Sequence, residues 1–160
     1  MSVGWKEFQG TGQVASEEQL AKLGLLIVDD ECEIVESLGE TFRGGFDILR
    51  AHSGQEALAL FRAHAPKLIL TDQRMPEMTG LELLREIKQI NPAVIAIMVT
   101  GYSDIDVVIE AINTGLVWKY VTKPWEHEEL RRLVIAAARK YLQDSGMDEA
   151  RYRFPGVMGC

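Results

Sequence analysis

Short apolar runs alternate along the chain with longer segments that carry apolar residues at helical spacing. The runs cover residues 25–28, 46–49, 67–70, 94–99 and 117–121. Alternation of this kind predicts repeated strand–helix units, and runs that are apolar on both faces are typical of parallel strands covered by helices on both sides. A closed barrel needs eight such units. We therefore predict an α/β fold with an open, doubly wound, five-stranded parallel sheet in the order 2-1-3-4-5.

Capping and stop signals delimit the five predicted helices. Ser53 with Glu56 has the pattern of a capping box at the start of the second helix, and Ser103 is predicted to cap the fourth. Gly44-Gly45 and Asn91-Pro92 end the first and third helices. The fifth helix has acidic residues in its first turn and basic residues near its end, which suits the helix dipole; they are Glu126, Glu128 and Glu129, and Arg139 and Lys140.

Composition and charge narrow the classes of function. The 160 residues include 17 Lys and Arg against 24 Asp and Glu, a formal net charge of −7, so the chain lacks the basic surface with which a domain binds nucleic acid directly. Hydrophobic residues make up 47% and charged residues 26%, as in globular domains. No apolar stretch approaches the roughly 18 residues of a membrane helix, and the first twelve residues show no signal pattern. We expect a cytoplasmic protein without membrane contact.

The cysteines and histidines lack the spacing of a disulfide framework or a zinc motif. Cys32 and Cys160 lie far apart, and His52, His64 and His127 are scattered. We therefore expect no metal site built on thiolates. Cys32, in the first turn of a helix, is predicted to be a small buried residue.

Chemically competent side chains follow four of the five strands. Asp29-Asp30 follows the first strand, Asp72 the third, Thr100 the fourth and Lys123 the fifth. In such sheets ligands bind beyond the carboxyl ends of the strands, so these side chains should meet at one edge. Carboxylates about 4 Å apart repel by about 4 kcal/mol at an effective dielectric of about 20, which calls for a cation. All-oxygen ligands favour Mg²⁺, beside which one Asp could attack phosphorus while Lys123 and Thr100 hold the phosphoryl oxygens.

The motifs at these strand ends resemble the receiver domain of two-component response regulators. They are Val28-Asp29-Asp30-Glu31, the run from Thr71 to Gly80 (TDQRMPEMTG), Thr100-Gly101, and the run from Lys119 to Pro124 (KYVTKP). The resemblance covers about residues 24–142 and implies the flavodoxin-like receiver fold. Residues 1–23 are then expected to form an N-terminal extension, with a short helix from Ser16 to Leu23, and residues 143–160 a tail or truncated linker.

The same resemblance implies a phosphorylation site that depends on Mg²⁺. It makes Asp72 the phosphoacceptor and Asp30 a direct ligand of the metal. It makes Asp29 a metal-site acid that acts largely through water, and the backbone carbonyl of Arg74 a further ligand. The Arg74 side chain could shield the acyl phosphate or reach solvent.

The resemblance also implies roles for three residues that bind the phosphoryl group or respond to it. Thr100 becomes the switch hydroxyl, Tyr120 the switch aromatic and Lys123 the phosphate-pairing amine, with the Lys123-Pro124 bond expected to be cis. Trp118 and Tyr120 are predicted to share one face of the last strand. They would either pack against the flanking helices or bind a partner, and the family's signalling surface favours the second.

The resemblance thus predicts a phosphoprotein that acts in two-component phosphorelay signal transduction. Its only predicted catalytic activities are its own phosphorylation and dephosphorylation, so we do not expect an enzyme. The phosphoryl donor would be a sensor histidine kinase or a phosphotransfer protein, and the output a downstream effector or effector domain. A homodimer through the fourth and fifth helices is also compatible with the resemblance. Two alternatives stay open: a HAD-like aspartyl-phosphate phosphatase, which needs a second acid where Arg74 stands, and a receiver-like interaction module that is not phosphorylated.

Overall fold

A five-stranded parallel sheet lies at the centre of the structure, a computed structural model that describes residues 20–152. Its strands are β1 (Leu23–Val28), β2 (Phe46–Ala51), β3 (Leu68–Thr71), β4 (Ile95–Thr100) and β5 (Lys119–Thr122). Its helices are α1 (Cys32–Phe42), α2 (Gly54–His64), α3 (Gly80–Ile90), α4 (Ile105–Asn113) and α5 (His127–Asp144). The strand order is β2-β1-β3-β4-β5, which confirms the predicted topology. Within residues 20–152 no helix is long and apolar enough to span a membrane.

Each face of the sheet is covered by its own set of helices. Side chains alternate between the two faces of a strand, so Leu25 and Ile27 of β1 pack into one core layer with α1 and α5. Leu26 and Val28 pack into the other layer with α2, α3 and α4. The central strands are therefore buried on both faces, and their carboxyl ends meet at a single edge of the sheet.

Two of the predicted helix caps differ from the prediction. The Ser53 hydroxyl accepts a hydrogen bond from the Glu56 N–H at 3.1 Å, but the Glu56 carboxylate accepts one from the His52 N–H at 2.7 Å, so only half of the capping box forms. The prediction that Ser103 caps α4 is wrong. A 3₁₀ turn from Tyr102 to Asp104 precedes this helix, and Asp104 occupies the cap position. Its carboxylate accepts hydrogen bonds from Arg74 and caps no backbone N–H of the first turn.

The segment after α5 returns to the start of β1. The Ala21 N–H donates to the Arg151 carbonyl at 2.9 Å, and a 3₁₀ turn (Glu149–Arg151) precedes this contact. Residues 16–19 of the helix predicted from Ser16 to Leu23 lie outside the described residues. Residues 20–23 are not helical, and Leu23 begins β1.

Candidate functional site at the carboxyl edge of the sheet

The strand register brings the carboxylates of β1 and β3 together. Val28 and Thr71 are directly paired, and the Asp72 N–H extends the ladder by donating to the Val28 carbonyl at 3.1 Å. Asp29 and Asp72 are buried whereas Asp30 is exposed. Oxygen atoms of these three carboxylates all lie within 4.8 Å of one another. The structure thus forms the predicted acidic cluster.

Lys123 reaches this cluster from β5. Its N–H donates to the Thr100 carbonyl at 2.9 Å, and its bond to Pro124 is cis, as predicted. Its Nζ lies 2.8 Å from Asp29 Oδ2 and 3.1 Å from Asp72 Oδ2. One ammonium thus binds two carboxylates, and with three carboxylates in the cluster an excess of negative charge remains.

Burial and hydrogen bonding shift two pKa values in the cluster. Burial raises the pKa of the Asp29 carboxyl, and the hydrogen bonds from Lys123 and from the Glu31 N–H offset this only in part. Burial by itself lowers the pKa of the Lys123 ammonium, but its hydrogen bonds to Asp29 and Asp72 outweigh that effect, and the pKa is raised. Lys123 therefore keeps its positive charge at neutral pH.

The hydroxyl of Thr100 is buried without a partner. The residue is 0% exposed, and its Oγ1 makes no hydrogen bond to any residue from 20 to 152. On the neighbouring strand, the buried hydroxyl of Thr71 donates to the Asp72 carbonyl at 2.9 Å. An unpaired buried polar group costs about 1–3 kcal/mol. The Thr100 hydroxyl is therefore free to bind a ligand at this edge of the sheet.

The loop between β3 and α3 fixes the Asp72 side chain. The Gln73 N–H donates to Asp72 Oδ1 at 2.7 Å, while the Gln73 carboxamide oxygen accepts from the Leu81 N–H at 3.0 Å. Gly80 opens α3 against the Asp72 carbonyl, where a Cβ atom would collide with the carbonyl oxygen. Sequence reasoning assigned no role to Gln73 or Gly80. A polar residue directly after the acceptor and a glycine at the start of the third helix are the features of the sequence that point to them.

The Arg74 side chain binds Asp104. This side chain is 73% exposed and its Nη2 lies 2.9 Å from Asp104 Oδ1, so it links the loop after β3 to the start of α4. Of the two predicted positions, shielding the acceptor or reaching solvent, the structure shows the second. The role of the Arg74 carbonyl as a metal ligand stays a prediction.

Trp118 and Tyr120 lie in different layers of the core. Trp118 packs against the layer of α1 and α5, and Tyr120 packs against the layer of α2, α3 and α4. The prediction that they share a face is wrong because Trp118 precedes β5, which begins at Lys119, so strand alternation does not extend to it. The prediction that Cys32 is buried is also wrong, since this residue is exposed at the start of α1.

Most of the chain is similar in sequence to known proteins. The response regulator receiver domain family matches residues 25–135. The hydrogenase transcriptional regulatory protein HoxA of Cupriavidus necator is 33% identical over 129 residues, which is 81% of this chain and 26% of HoxA. The transcriptional regulatory protein ZraR of Escherichia coli K12 is 37% identical over 113 residues, which is 68% of this chain and 25% of ZraR. The chain therefore spans about a quarter of the length of these relatives.

Two solved structures with the same fold are matched over nearly their full length. A CheY-like response regulator receiver domain protein from Methanospirillum hungatei JF-1 has a TM-score of 0.72 and 27% identity, and 78% of this chain covers 99% of it. A response regulator receiver domain protein from Clostridium thermocellum has a TM-score of 0.68 and 30% identity, with coverage of 77% and 97%. The family match and the similarity of fold agree, and the chain belongs to the response regulator receiver domain family.

Proposed function

We propose that Asp72 accepts a phosphoryl group and that Thr100 and Lys123 bind it. The observation that supports this best is the pairing of a lysine shared between two carboxylates with a buried hydroxyl that has no partner among residues 20–152. A phosphoryl group on Asp72 brings acceptor oxygens that both donors can bind.

The transfer is a displacement at phosphorus. An oxygen of the Asp72 carboxylate attacks, the new O–P bond forms as the P–N bond of a phosphohistidine breaks, and the electron pair leaves with the imidazole nitrogen. The Gln73 N–H orients the carboxylate for attack through its bond to Oδ1. Lys123 exchanges a carboxylate contact for a phosphoryl oxygen, and the Thr100 hydroxyl donates to another.

The donor set at this edge fits Mg²⁺. Asp29, Asp30 and Asp72 offer only oxygen atoms, and a single ammonium leaves their negative charge in excess. We infer that these three residues hold the ion, together with the carbonyl of Arg74. When bound, Mg²⁺ neutralises charge on the acceptor and on the incoming phosphoryl group.

Partners follow from the same proposal. The donor is a sensor histidine kinase or a phosphotransfer protein, and the output passes to an effector domain or a separate effector. This output is supported by relatives that are named as transcriptional regulators and are about four times longer than the match. We infer that phosphorylation switches the conformation around Tyr120, which packs into the layer of α2, α3 and α4, while Trp118 lies in the opposite layer with α1 and α5. Exposed Val107 and Ile109 of α4 offer apolar surface for a partner or a second copy.

The phosphatase alternative lacks its second acid. That chemistry needs a carboxylic acid two residues after the nucleophile to protonate the leaving group, and Arg74 stands there with its guanidinium on Asp104. The arrangement favours a phosphoacceptor over an enzyme that turns over phosphate esters.

Intact-mass measurement after incubation with acetyl phosphate and Mg²⁺ tests the proposal. We expect one added phosphoryl group on the parent and on Asp47→Asn, an exposed carboxylate of β2, and none on Asp72→Asn. An adduct that persists in Asp72→Asn would falsify the assignment. A parent that gains no phosphoryl group at all would instead favour the interaction module that is not phosphorylated.

A further inference from the structure

A second group of metal-binding side chains lies outside the acidic cluster. Cys32 begins α1, Glu36 lies one helical turn later, and His52 follows the last residue of β2. One donor atom from each of the three lies within 4.8 Å of the other two. The spacing of these residues along the chain matches no metal-binding motif, so the sequence does not predict the group. The fold brings them together because the start of α1 lies next to the end of β2.

Strand register explains the proximity. Val28 pairs with Ala51, and the Asp29 N–H donates to the Ala51 carbonyl at 3.2 Å. His52 is therefore level with the residues that lead into α1. Cys32 and Glu36 are four residues apart, so they lie on the same face of that helix.

The two ring nitrogens of His52 have different surroundings. Its Nδ1 lies 3.5 Å from Glu56 Oε1, the carboxylate that also accepts the His52 N–H at 2.7 Å. Its Nε2 is buried and has no hydrogen-bond partner among residues 20–152. A carboxylate on one ring nitrogen is the usual support of a metal-binding histidine, because it fixes the tautomer and the ring orientation. The buried Nε2 is then the nitrogen available to a metal.

The chemistry of the three donors selects the cation. A thiolate, an imidazole and a carboxylate suit Zn²⁺ and similar borderline ions, whereas Mg²⁺ prefers oxygen ligands alone. Three protein ligands leave a fourth tetrahedral position for water. The acidic cluster and this group therefore differ in the ion that they favour.

The Arg50 guanidinium competes with a metal ion for Glu36, but it has a second carboxylate within reach. Arg50 Nε lies 3.7 Å from Glu36 Oε1, while its Nη2 lies 4.0 Å from Glu40 Oε2. When Glu36 binds a metal, Glu40 remains as the carboxylate for the guanidinium. We propose that Cys32, Glu36 and His52 form a binding site for Zn²⁺ or a similar transition-metal ion, with Glu56 as the positioning residue for the imidazole. On binding, the Cys32 thiol releases its proton to solvent.

Cobalt(II) substitution tests the site directly. Titrating reduced protein with Co²⁺ in excess Mg²⁺, which occupies the acidic cluster, should give tetrahedral Co²⁺ absorption and a thiolate-to-cobalt charge-transfer band that Zn²⁺ abolishes. Cys160→Ser should keep the band, and Cys32→Ser should lose it. In competition with a chelating dye, Glu56→Gln should weaken Zn²⁺ binding by about 10–100-fold.

Matched variants separate this site from other sources of binding. Glu36→Gln should weaken Zn²⁺ binding, whereas Glu33→Gln, an exposed acid of the same helical turn, should not. Equal Zn²⁺ affinity in the parent, Cys32→Ser and Glu36→Gln would overturn the proposal, as would cobalt spectra without a thiolate band. Acetyl phosphate labelling of the Cys32→Ser variant is an independent measurement. If the label remains and Zn²⁺ binding is lost, the two sites are distinct. If the label is absent from both parent and variant, the proposed phosphorylation fails but the metal site stands.

Discussion

Replacing Thr100 with valine should stabilise the unphosphorylated protein. The hydroxyl of this residue is fully buried and has no hydrogen-bond partner among residues 20–152. Valine has nearly the same shape and removes the unsatisfied group. Because an unpaired buried hydroxyl costs about 1–3 kcal/mol, we expect the free energy of unfolding to rise by about 1 kcal/mol. For a domain of this size that corresponds to a rise in Tm of about 3 °C.

Thr71→Val is the matched control. Thr71 is also a buried threonine at the carboxyl end of a central strand, but its hydroxyl donates to the Asp72 carbonyl at 2.9 Å. The same substitution there removes a hydrogen bond, which contributes about 1 kcal/mol. The two variants should therefore move in opposite directions and differ by about 2 kcal/mol.

Urea unfolding with EDTA present measures both variants under the same conditions. The slope of the free energy against urea should stay constant, so that a shift in midpoint reports stability. Destabilisation of Thr100→Val by as much as Thr71→Val would contradict this prediction, because it would show that the Thr100 hydroxyl is hydrogen-bonded in solution.

Three further predictions concern the same edge of the sheet. Gly80→Ala should destabilise the protein by about 1–3 kcal/mol and slow acetyl phosphate labelling, because its methyl group collides with the Asp72 carbonyl; Gly101→Ala, where a Cβ meets no described atom within 4 Å, should do neither. Lys123→Met should lower the Tm of the metal-free protein, because two buried carboxylates lose their shared cation, and Mg²⁺ should restore more stability to it than to the parent. The raised pKa of Asp29 means that the folded protein binds its proton more tightly than the unfolded chain. The stability that comes from protonating Asp29 is therefore complete at low pH and is lost as the pH rises above about 3.8. An asparagine does not ionise, so the stability of Asp29→Asn relative to the parent should increase as the pH rises above about 3.8, measured in EDTA.

Each of these three predictions has a result that contradicts it. Equal stability of the two alanine variants would show that the loop after Asp72 adapts without strain. A Lys123→Met variant with unchanged Tm would mean that the ammonium contributes nothing net. A stability difference between parent and Asp29→Asn that does not change with pH would mean that this carboxyl is not perturbed by burial.

Most of the fold could be predicted because the signals are local and repeated. Five apolar runs separated by helical spacing determine the doubly wound sheet, and the rule that ligands bind at the carboxyl ends of its strands predicts that Asp29, Asp72 and Lys123 meet. These residues do meet, with Lys123 Nζ within 3.1 Å of both carboxylates. Order along the chain sufficed because parallel strands all end at the same edge.

The errors come from features that depend on tertiary contacts. Ser103 has the residue type of a cap, but the 3₁₀ turn before α4 moves the helix start past it. Trp118 lies before β5, so strand alternation could not assign its face. Residue type alone predicts a buried Cys32, whereas its position at the start of α1 leaves it exposed. Its proximity to His52 depends on how α1 lies against the end of β2, which no spacing along the chain expresses.

The unpaired Thr100 hydroxyl also limits how the proposed switch can work. Shifting a two-state equilibrium from 1:99 to 99:1 takes about 5.5 kcal/mol. A hydrogen bond to the Thr100 hydroxyl recovers about 1–3 kcal/mol, so the remainder has to come from other contacts of the phosphoryl group, the charge-assisted bonds of Lys123 among them. Thr100→Val should accordingly still take the phosphoryl group, since Asp72 and Lys123 are unchanged. It should lose about 1–3 kcal/mol of coupling, or about 5 to 150-fold in the ratio of switched to unswitched protein. Backbone amide chemical shifts of β5 in the phosphorylated protein measure that ratio. A Thr100→Val protein that is fully switched on phosphorylation would show that the hydroxyl does not contribute to the switch.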